Sequence, residues 1–501
     1  MPRRFWVKKK KFLSLLLLVL PFFCRQCHAE TLSSLLELAI SNEPTYLSAK
    51  AALQGANART DQAKGGLLPQ INVSINTNYN NRDYQTRGAN AQRTQDQYNS
   101  NSQQVNLTQP IWRLPNEIGL KQAKSATDQA EQQLENTEQE LLTKLVSAWF
   151  DLLGARDQVL FAQQQIALSE HLKEVAQRGF KLGYIGQPEL DDVAAKLEQA
   201  KADQVAAETG LSLKEAVLEQ IIGNTNQLSP TFMRENAELA NLSNSKLEDM
   251  LAKVESGNHN ILAAMLAYKA ASDEVDKQNA GHLPTLDLVA SYGNNSQPVG
   301  SFPGQAGYDI KLGTVGLQLN IPIYSGGTQS AKVKEAVAQK EKMRLDIEVA
   351  KRAAILSAKQ AWYDWRTVFT KARAFEQAIK AANTALRAAT VAENNGLESE
   401  RAVLEARQKL SEAQLNYNHS RYEQVVDFVK LKSLMGVLTN EDIAALDTLL
   451  VDKPADSGSL ITPKAVQLIF CRFGLNPMRK ASGQVMSKKR FQPLRNKAYY
   501  A

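Results

Sequence analysis

The passage "VNLTQPIWRLPNEIGLKQAK" (residues 105–124) returns as "LQLNIPIYSGGTQSAKVKEA" (317–336). "GGLLPQINVSINTNYNN" (65–81) is answered by "AGHLPTLDLVASYGNN" (280–295). "FKLGYIGQPELDDVAAKLEQAKAD" (180–203) is echoed by "VAENNGLESERAVLEARQKLSEAQ" (391–414). In that echo Gly183, Lys196, Leu197 and Ala200 recur 213 positions later as Gly396, Lys409, Leu410 and Ala413. Trp149-Phe150 and Trp362-Tyr363 keep the same offset, as do Gly223 and Gly436. A period this long is no solenoid repeat. It is one large unit written twice, over 30–243 and 244–456, and each copy reads helix, strand, strand, very long helix, helix.

The strands show period two. Ile71, Val73, Ile75 and Tyr79 alternate with Asn72, Ser74, Asn76 and Asn78, and Val105, Leu107 and Ile111 alternate with Asn106 and Thr108. In the second copy Leu286, Leu288 and Tyr292 share one face, and Val315, Leu317, Leu319 and Ile321 share another. Such segments have one apolar and one wet face. A half-buried sheet in a soluble protein alternates too, but here Asn, Gln, Ser and Thr dominate the wet face, as in membrane barrels. Each pair is expected to be joined by a long polar loop, at 82–100 and 293–311.

The helices show a different period. No proline falls between about residues 116 and 182, a stretch rich in Ala, Gln, Glu, Leu and Lys. At 1.5 Å per residue such a rod spans roughly 100 Å. Leu141, Leu145, Ala148, Leu152, Ala155, Val159, Ala162 and Ile166 repeat a four-three spacing. Ala354, Ala358, Ala361, Trp365, Val368, Ala372, Phe375 and Ile379 do the same. These are coiled-coil seams. A second stripe, Leu142, Val146, Trp149 and Leu153, lies beside the first, whereas Lys359 and Arg366 interrupt it in the later copy. One seam suffices for a two-stranded coil; two seams suit a helix with neighbours on both sides, as in the wall of a tube.

Charge is segregated along the chain. The formal net charge is +7, yet residues 1–29 and 457–501 carry seven and nine Lys or Arg with no acid, leaving −9 for the body. That balance removes the electrostatic case for nucleic acid. Lys8 to Lys11, "FLSLLLLVLPFF" and "CRQCHAE" form a signal peptide with cleavage expected before Glu30. Bulky Phe22 and Phe23 argue against a lipid anchor at Cys24. Only Cys471 would then remain, so no disulfide is expected. The tail at 457–501 has no sustained period and is expected to be disordered.

Catalysis finds no support. His28, His171, His259, His282 and His419 are scattered without metal-ligand spacing, there is no P-loop, and "SGG" at 325–327 marks a strand-to-helix turn. No enzyme, metal or cofactor is expected. Closure supplies the stronger constraint. Lipid leaves no water for open sheet edges, membrane barrels begin at about eight strands, and this chain offers four. Two copies would make a barrel that side chains mostly fill; three would make twelve strands around a lumen.

In order and twice over, the Leu-Pro step into each first strand, "QPIW" and "IPIYSGG" leaving each second strand, "TLSSLLELAISNEPTYLSAKAAL" (31–53) and the hairpins around Gly183 and Gly396 make a pattern. Over roughly residues 31–450 the chain resembles the TolC family of outer-membrane channels of type I secretion and multidrug efflux. The resemblance implies an α+β membrane protein: a homotrimer whose twelve-stranded barrel in outer-membrane lipid continues as a helical coiled-coil barrel in the periplasm. It implies docking on a periplasmic adaptor (membrane fusion) protein and an inner-membrane transporter of ABC, RND or MFS type. Residues 224–245 and 437–456 would form a belt around the helices. The alternative is a non-conducting structural or adaptor coiled-coil protein of the envelope, which accounts for the heptads but not for four amphipathic strands.

The candidate site is the pair of acidic hairpin tips. Glu189, Asp191 and Asp192 follow Gly183; Glu398, Glu400 and Glu405 follow Gly396, with Asp192 and Glu405 in equivalent places. They are either solvated, helix-capping acids or a constriction that holds cations and repels anions. By the resemblance, Glu189 and Glu405 fall on acidic positions of the periplasmic aperture, while Ala402 stands where another carboxylate is expected. Tyr79, Trp112, Tyr292 and Tyr324 are candidate interface aromatics.

Overall fold

The computed structural model describes residues 31–88, 91–223, 232–234, 246–300, 302 and 305–451. The expected signal peptide and basic tail lie outside the described residues. The elements run in two similar series. The first is α1 (Leu32–Asn42), α2 (Pro44–Gly65), β1 (Gln70–Gln85), β2 (Arg93–Trp112), α3 (Leu114–Lys181) and α4 (Gln187–Ile222). Between the series lies β3 (Phe232–Met233). The second is α5 (Leu247–Gly257), α6 (His259–Ala280), β4 (Thr285–Val299), β5 (Ala306–Asn320), α7 (Thr328–Asn394) and α8 (Glu400–Leu434), closed by α9 (Asn440–Asp447) and β6 (Leu450–Val451).

Where one helix is expected before each strand pair, there are two. Pro44 has no N–H to continue α1, and Glu43 takes an extended conformation and caps α2, accepting from the Tyr46 N–H at 2.8 Å. Asn258 makes the same break between α5 and α6. Asp447 of α9 anchors the first helix by accepting the backbone N–H of Leu32 (2.6 Å) and Ser33 (3.1 Å) at its N-terminus.

The four long strands form one antiparallel sheet in the order β1-β2-β4-β5. They are longer than the polar composition of 82–100 and 293–311 suggests, at 16, 20, 15 and 15 residues, so the connections shrink to 86–92 and 300–305. Polar cross-strand pairs carry the ladder outward. Arg82 bridges Asp96, Arg93 bridges Asp83, and Asn80 donates to the Ser100 hydroxyl at 2.9 Å. Loop-like composition here marks a wetted ladder rather than a loop. Among the described residues β1 and β5 each have one unpaired edge, so the sheet is open.

The long helices match the expected rods, α3 with 68 residues and α7 with 67. Proline begins α3 and α4 where a missing N–H costs nothing. Both stripes of α3 are buried: Leu141, Leu145, Ala148 and Leu152 on one side, Leu142, Val146, Trp149 and Leu153 on the other. They meet α1, the end of α4 (Leu218, Ile221, Ile222), α8 and α9 in the main core. A smaller core gathers Met250, Trp362, Trp365 and Leu431, where Trp365 stacks between Trp362 and Phe369. Phe232 pairs with Val451, and Met233 with Leu450, in a second, two-stranded sheet. The end of α8 meets the α5–α6 break so closely that a Cβ on Gly436 (φ +69°) would lie 2.2 Å from the Gly257 carbonyl oxygen.

Candidate functional site

Both long hairpins turn in the same way. Gly183 (φ +76°) and Gly396 (φ +72°) take the left-handed conformation that only glycine adopts freely. The Gly183 N–H donates to the Phe180 carbonyl and the Tyr184 N–H to the Gly179 carbonyl, at 3.0 and 2.9 Å. Gly396 and Leu397 donate likewise to Glu393 and Ala392, both at 2.8 Å. Paired bonds of this kind satisfy the last carbonyls of a helix and reverse the chain. Each hairpin therefore brings the first turns of its return helix, and the acids they carry, to the tip.

One cation organises those acids. Arg401 on α8 donates through Nη1 to Glu189 Oε1 of α4 (3.0 Å) and through Nε to Glu405 Oε1 one turn on (2.9 Å). The Glu405 carboxylate, helped by Glu189 and Asp192, holds the guanidinium pKa above its usual value. Glu189 and Glu405, two of the expected aperture acids, are thus joined across the two hairpins. Asp192 is paired along its own helix with Lys196 (2.7 Å), and Asp191 accepts from Gln187 (2.8 Å). Beside them Glu400 reaches α3, with His171 Nε2 at 2.6 Å and Arg178 Nη2 at 3.5 Å.

Arg401, His171 and Arg178 are the basic partners at the tips that the acidic pattern leaves out. The Arg401–Glu405 spacing of four is a helix-surface signal, but Arg401 to Glu189 spans 212 positions and depends on how the hairpins pack. Higher up, the α3–α8 seam contains Asp157, whose carboxylate accepts from the Tyr422 hydroxyl (2.9 Å) and Asn418 Nδ2 (3.0 Å). Burial pushes the Asp157 carboxyl up against the pull of these bonds.

The other end of the molecule is the sheet. Ile71, Val73 and Ile75 on β1 and Val315, Leu317 and Leu319 on β5 are all more than half exposed. Tyr79 and Tyr292 lie within their strands and follow these apolar runs. A register shift between Pro110 and Trp112 sets Trp112 opposite Leu286, at the end of the sheet nearest the long helices. Tyr324 lies beyond the end of β5 in an irregular segment and is 86% exposed. No helix among the described residues is long and apolar enough to cross a membrane.

A four-stranded amphipathic sheet continuous with duplicated rods of about 100 Å defines a class: an outer-membrane duct rather than an enzyme. The outer membrane efflux protein family model matches residues 35–224 and 250–437, once over each series of elements, and the chain belongs to that family. It is 27% identical over 420 residues to outer membrane protein TolC of Vibrio cholerae serotype O1, covering 83% of this chain and 92% of that protein. It is 24% identical to the proteases secretion protein PrtF of Dickeya chrysanthemi, covering 82% and 89%. The crystal structure of the Campylobacter jejuni CmeC outer membrane channel superposes with a TM-score of 0.68 at 16% identity, over 84% of this chain and 89% of that one. The protein is an outer-membrane exit duct with a helical periplasmic part.

Proposed function

We propose that this chain supplies one third of a homotrimeric duct through which an inner-membrane transporter, joined by a periplasmic adaptor, sends its cargo to the exterior. The observation that carries the reading is the open sheet, amphipathic across four strands with β1 and β5 unpaired at its edges among the described residues. Lipid makes such edges costly. Pairing β5 of one copy with β1 of the next, three times over, closes twelve strands around a lumen. The helices offer matching edges: α7 keeps Leu345, Val349, Leu356 and Tyr363 at 50% exposure or more, and α4 keeps Val205 and Leu213. These apolar stripes lie on helices at opposite ends of the lower packing order, α4-α3-α8-α7.

The tips form the periplasmic gate. Glu189, Asp191, Asp192 and Glu405 give the aperture a negative lining that holds cations, and Arg401 ties the second hairpin to the first while it is shut. Docking of the adaptor breaks this exposed tie, which is weak enough to be reversible, and the hairpins swing apart like an iris. The relatives named for TolC function and protease secretion support the general role, and the transporter, not the duct, selects the cargo. Single-channel recording tests the gate. Arg401→Gln should raise the resting conductance several-fold, and Asp192→Ala with Glu405→Ala should weaken block by added cations. Unchanged conductance and block in both variants would remove these residues from the aperture.

A further inference from the structure

Helix α7 carries a line of charge that α3 lacks. Arg352, Lys359, Arg366, Arg373, Lys380 and Arg387 recur at intervals of seven residues. All six are exposed. Their counterparts 213 positions earlier, Gln139, Val146, Leu153, Leu160, Ala167 and Glu174, include no base. In a helix that follows a coiled-coil seam, residues seven apart keep one direction relative to their neighbours. The six therefore form a straight basic line about 52 Å long, at 1.5 Å per residue.

The first copy indicates whether a neighbouring copy of the chain would cover that line. Helix α3 already has a long helix on each side, α4 and α8. The residue it turns to α8 is Phe150, whose ring lies 5.9 Å from that of Tyr422. The α7 counterpart of Phe150 is the exposed Tyr363, not a member of the basic line. On α3 the position of the line is buried at Val146 and Leu153, in the core shared with α1 and α9. Further toward the tip it stays open despite both flanking helices: Leu160 is 44% exposed, and Ala167 and Glu174 are exposed too. A second copy seated against Tyr363 would thus leave Arg373, Lys380 and Arg387 uncovered.

Most of the charge is also unspent. Lys380 binds Glu376 at 2.7 Å and Arg352 approaches Glu348 at 3.9 Å, both along α7 itself. Exposed pairs of this kind are weak and give way to a better partner. Among the described residues Lys359, Arg366, Arg373 and Arg387 form no ion pair.

We propose that this line is a docking rail for a partner α-helix bearing Asp or Glu at the same seven-residue interval. A compact anion would meet one or two rungs. A helix laid alongside in the same supercoil meets all of them, because it alone keeps both the spacing and the direction. Trp362, next to Lys359 and Arg366 on the helix surface, packs with Met250 of α5, so the rail lies on the side of α7 that bears the short helices. A passage open to cargo leaves those helices outside, and the rail with them. The identity of the partner rests on the duct reading: it is the coiled coil of the adaptor, held along the second hairpin by charges that the first hairpin does not have.

Fluorescence anisotropy on the assembled full-length protein in detergent tests the rail with designed helical hairpins as probes. One hairpin carries Glu at every seventh residue of one arm; a second has the same composition with those Glu residues spaced by five. The first should bind, more weakly as salt rises, and the second about tenfold less tightly or worse. Arg373→Glu with Lys380→Glu should weaken the matched probe by about tenfold, whereas Lys332→Glu with Lys334→Glu, off the rail, should change nothing. With all six rungs changed to Glu, a hairpin carrying Lys at every seventh residue should bind in place of the original. No binding, equal binding of the two Glu probes, or binding that ignores the reversals at 373 and 380 would overturn the rail. If the matched probe binds particles that pass no ions, the rail stands and the duct reading fails; a conducting trimer that ignores the probe removes the rail alone.

Discussion

Helices α3 and α7 share a seam, a length and a turn, yet they differ in how much of their circumference is covered. On α3 both apolar stripes are buried, against α2, α4, α6 and α8. On α7 the seam from Ala354 to Ala372 is buried against α8, α6 and α5, but Leu356 and Tyr363 remain 57% and 54% exposed. At the positions where α3 has Val146 and Leu153, α7 has Lys359 and Arg366. One helix is covered within the chain; the other keeps an apolar stripe exposed, which the proposed trimer would cover. The duplicated unit thus has one arm with both stripes packed in the main core and one whose second stripe is polar or exposed.

The largest test of this contrast lies in the cores. Trp149 is fully buried in the main core, whereas its counterpart Trp362 keeps 8% exposure in a smaller cluster. Trp149→Ala should cost about 3–5 kcal/mol, and Trp362→Ala no more than the lower end of that range. Thermal unfolding of the two variants side by side measures the gap; equal losses would erase the distinction. Next in size, Leu356→Ser with Tyr363→Ser should remove apolar burial of about 1.5–3 kcal/mol per side chain from the boundary between copies while sparing the single chain. Gel-resistant oligomers should be lost with helix content unchanged by circular dichroism. Assembly that tolerates both changes would assign the α7 stripe to solvent.

The smallest expected effect is a pair of opposed pH dependences. Burial raises the Asp157 carboxyl, so its contribution to the α3–α8 seam is fullest in acid and is lost as the pH rises through that raised value. Burial also opposes the Glu43 charge, but the Tyr46 N–H, Thr45 and Lys144 outweigh it and hold this carboxyl low. Its contribution is therefore present above the ordinary carboxyl range and is lost as the pH falls through the lowered value. Asp157→Asn should flatten the acid-side gain in thermal stability, and Glu43→Gln the acid-side loss, each by roughly 1 kcal/mol per unit of displaced pKa. The same sign for both variants would contradict the two placements.

What the chain declares in its sequence is whatever repeats at short range. Period two marks the four strands, and the proline-free stretch marks a first rod that begins and ends within two residues of the expected bounds. Gly183 and Gly396 marked turns because a left-handed residue has few alternatives. Residues 82–100 read as a loop because the outer parts of β1 and β2 are polar on both faces, and Arg82, Asp96, Arg93 and Asp83 look alike in a loop and in a ladder. Arg401 is silent in the sequence for a different reason. Its partner Glu189 belongs to the other hairpin, and only packing brings them together.

On the proposed reading, other copies of the chain complete the four-stranded sheet. Native mass spectrometry of the detergent-solubilised protein, followed by recording of the same sample in a planar bilayer, tests it most directly. Three copies and an ion current through them are expected. A particle of one or two copies, or a trimer that passes no ions when its tips are unlatched, would contradict it.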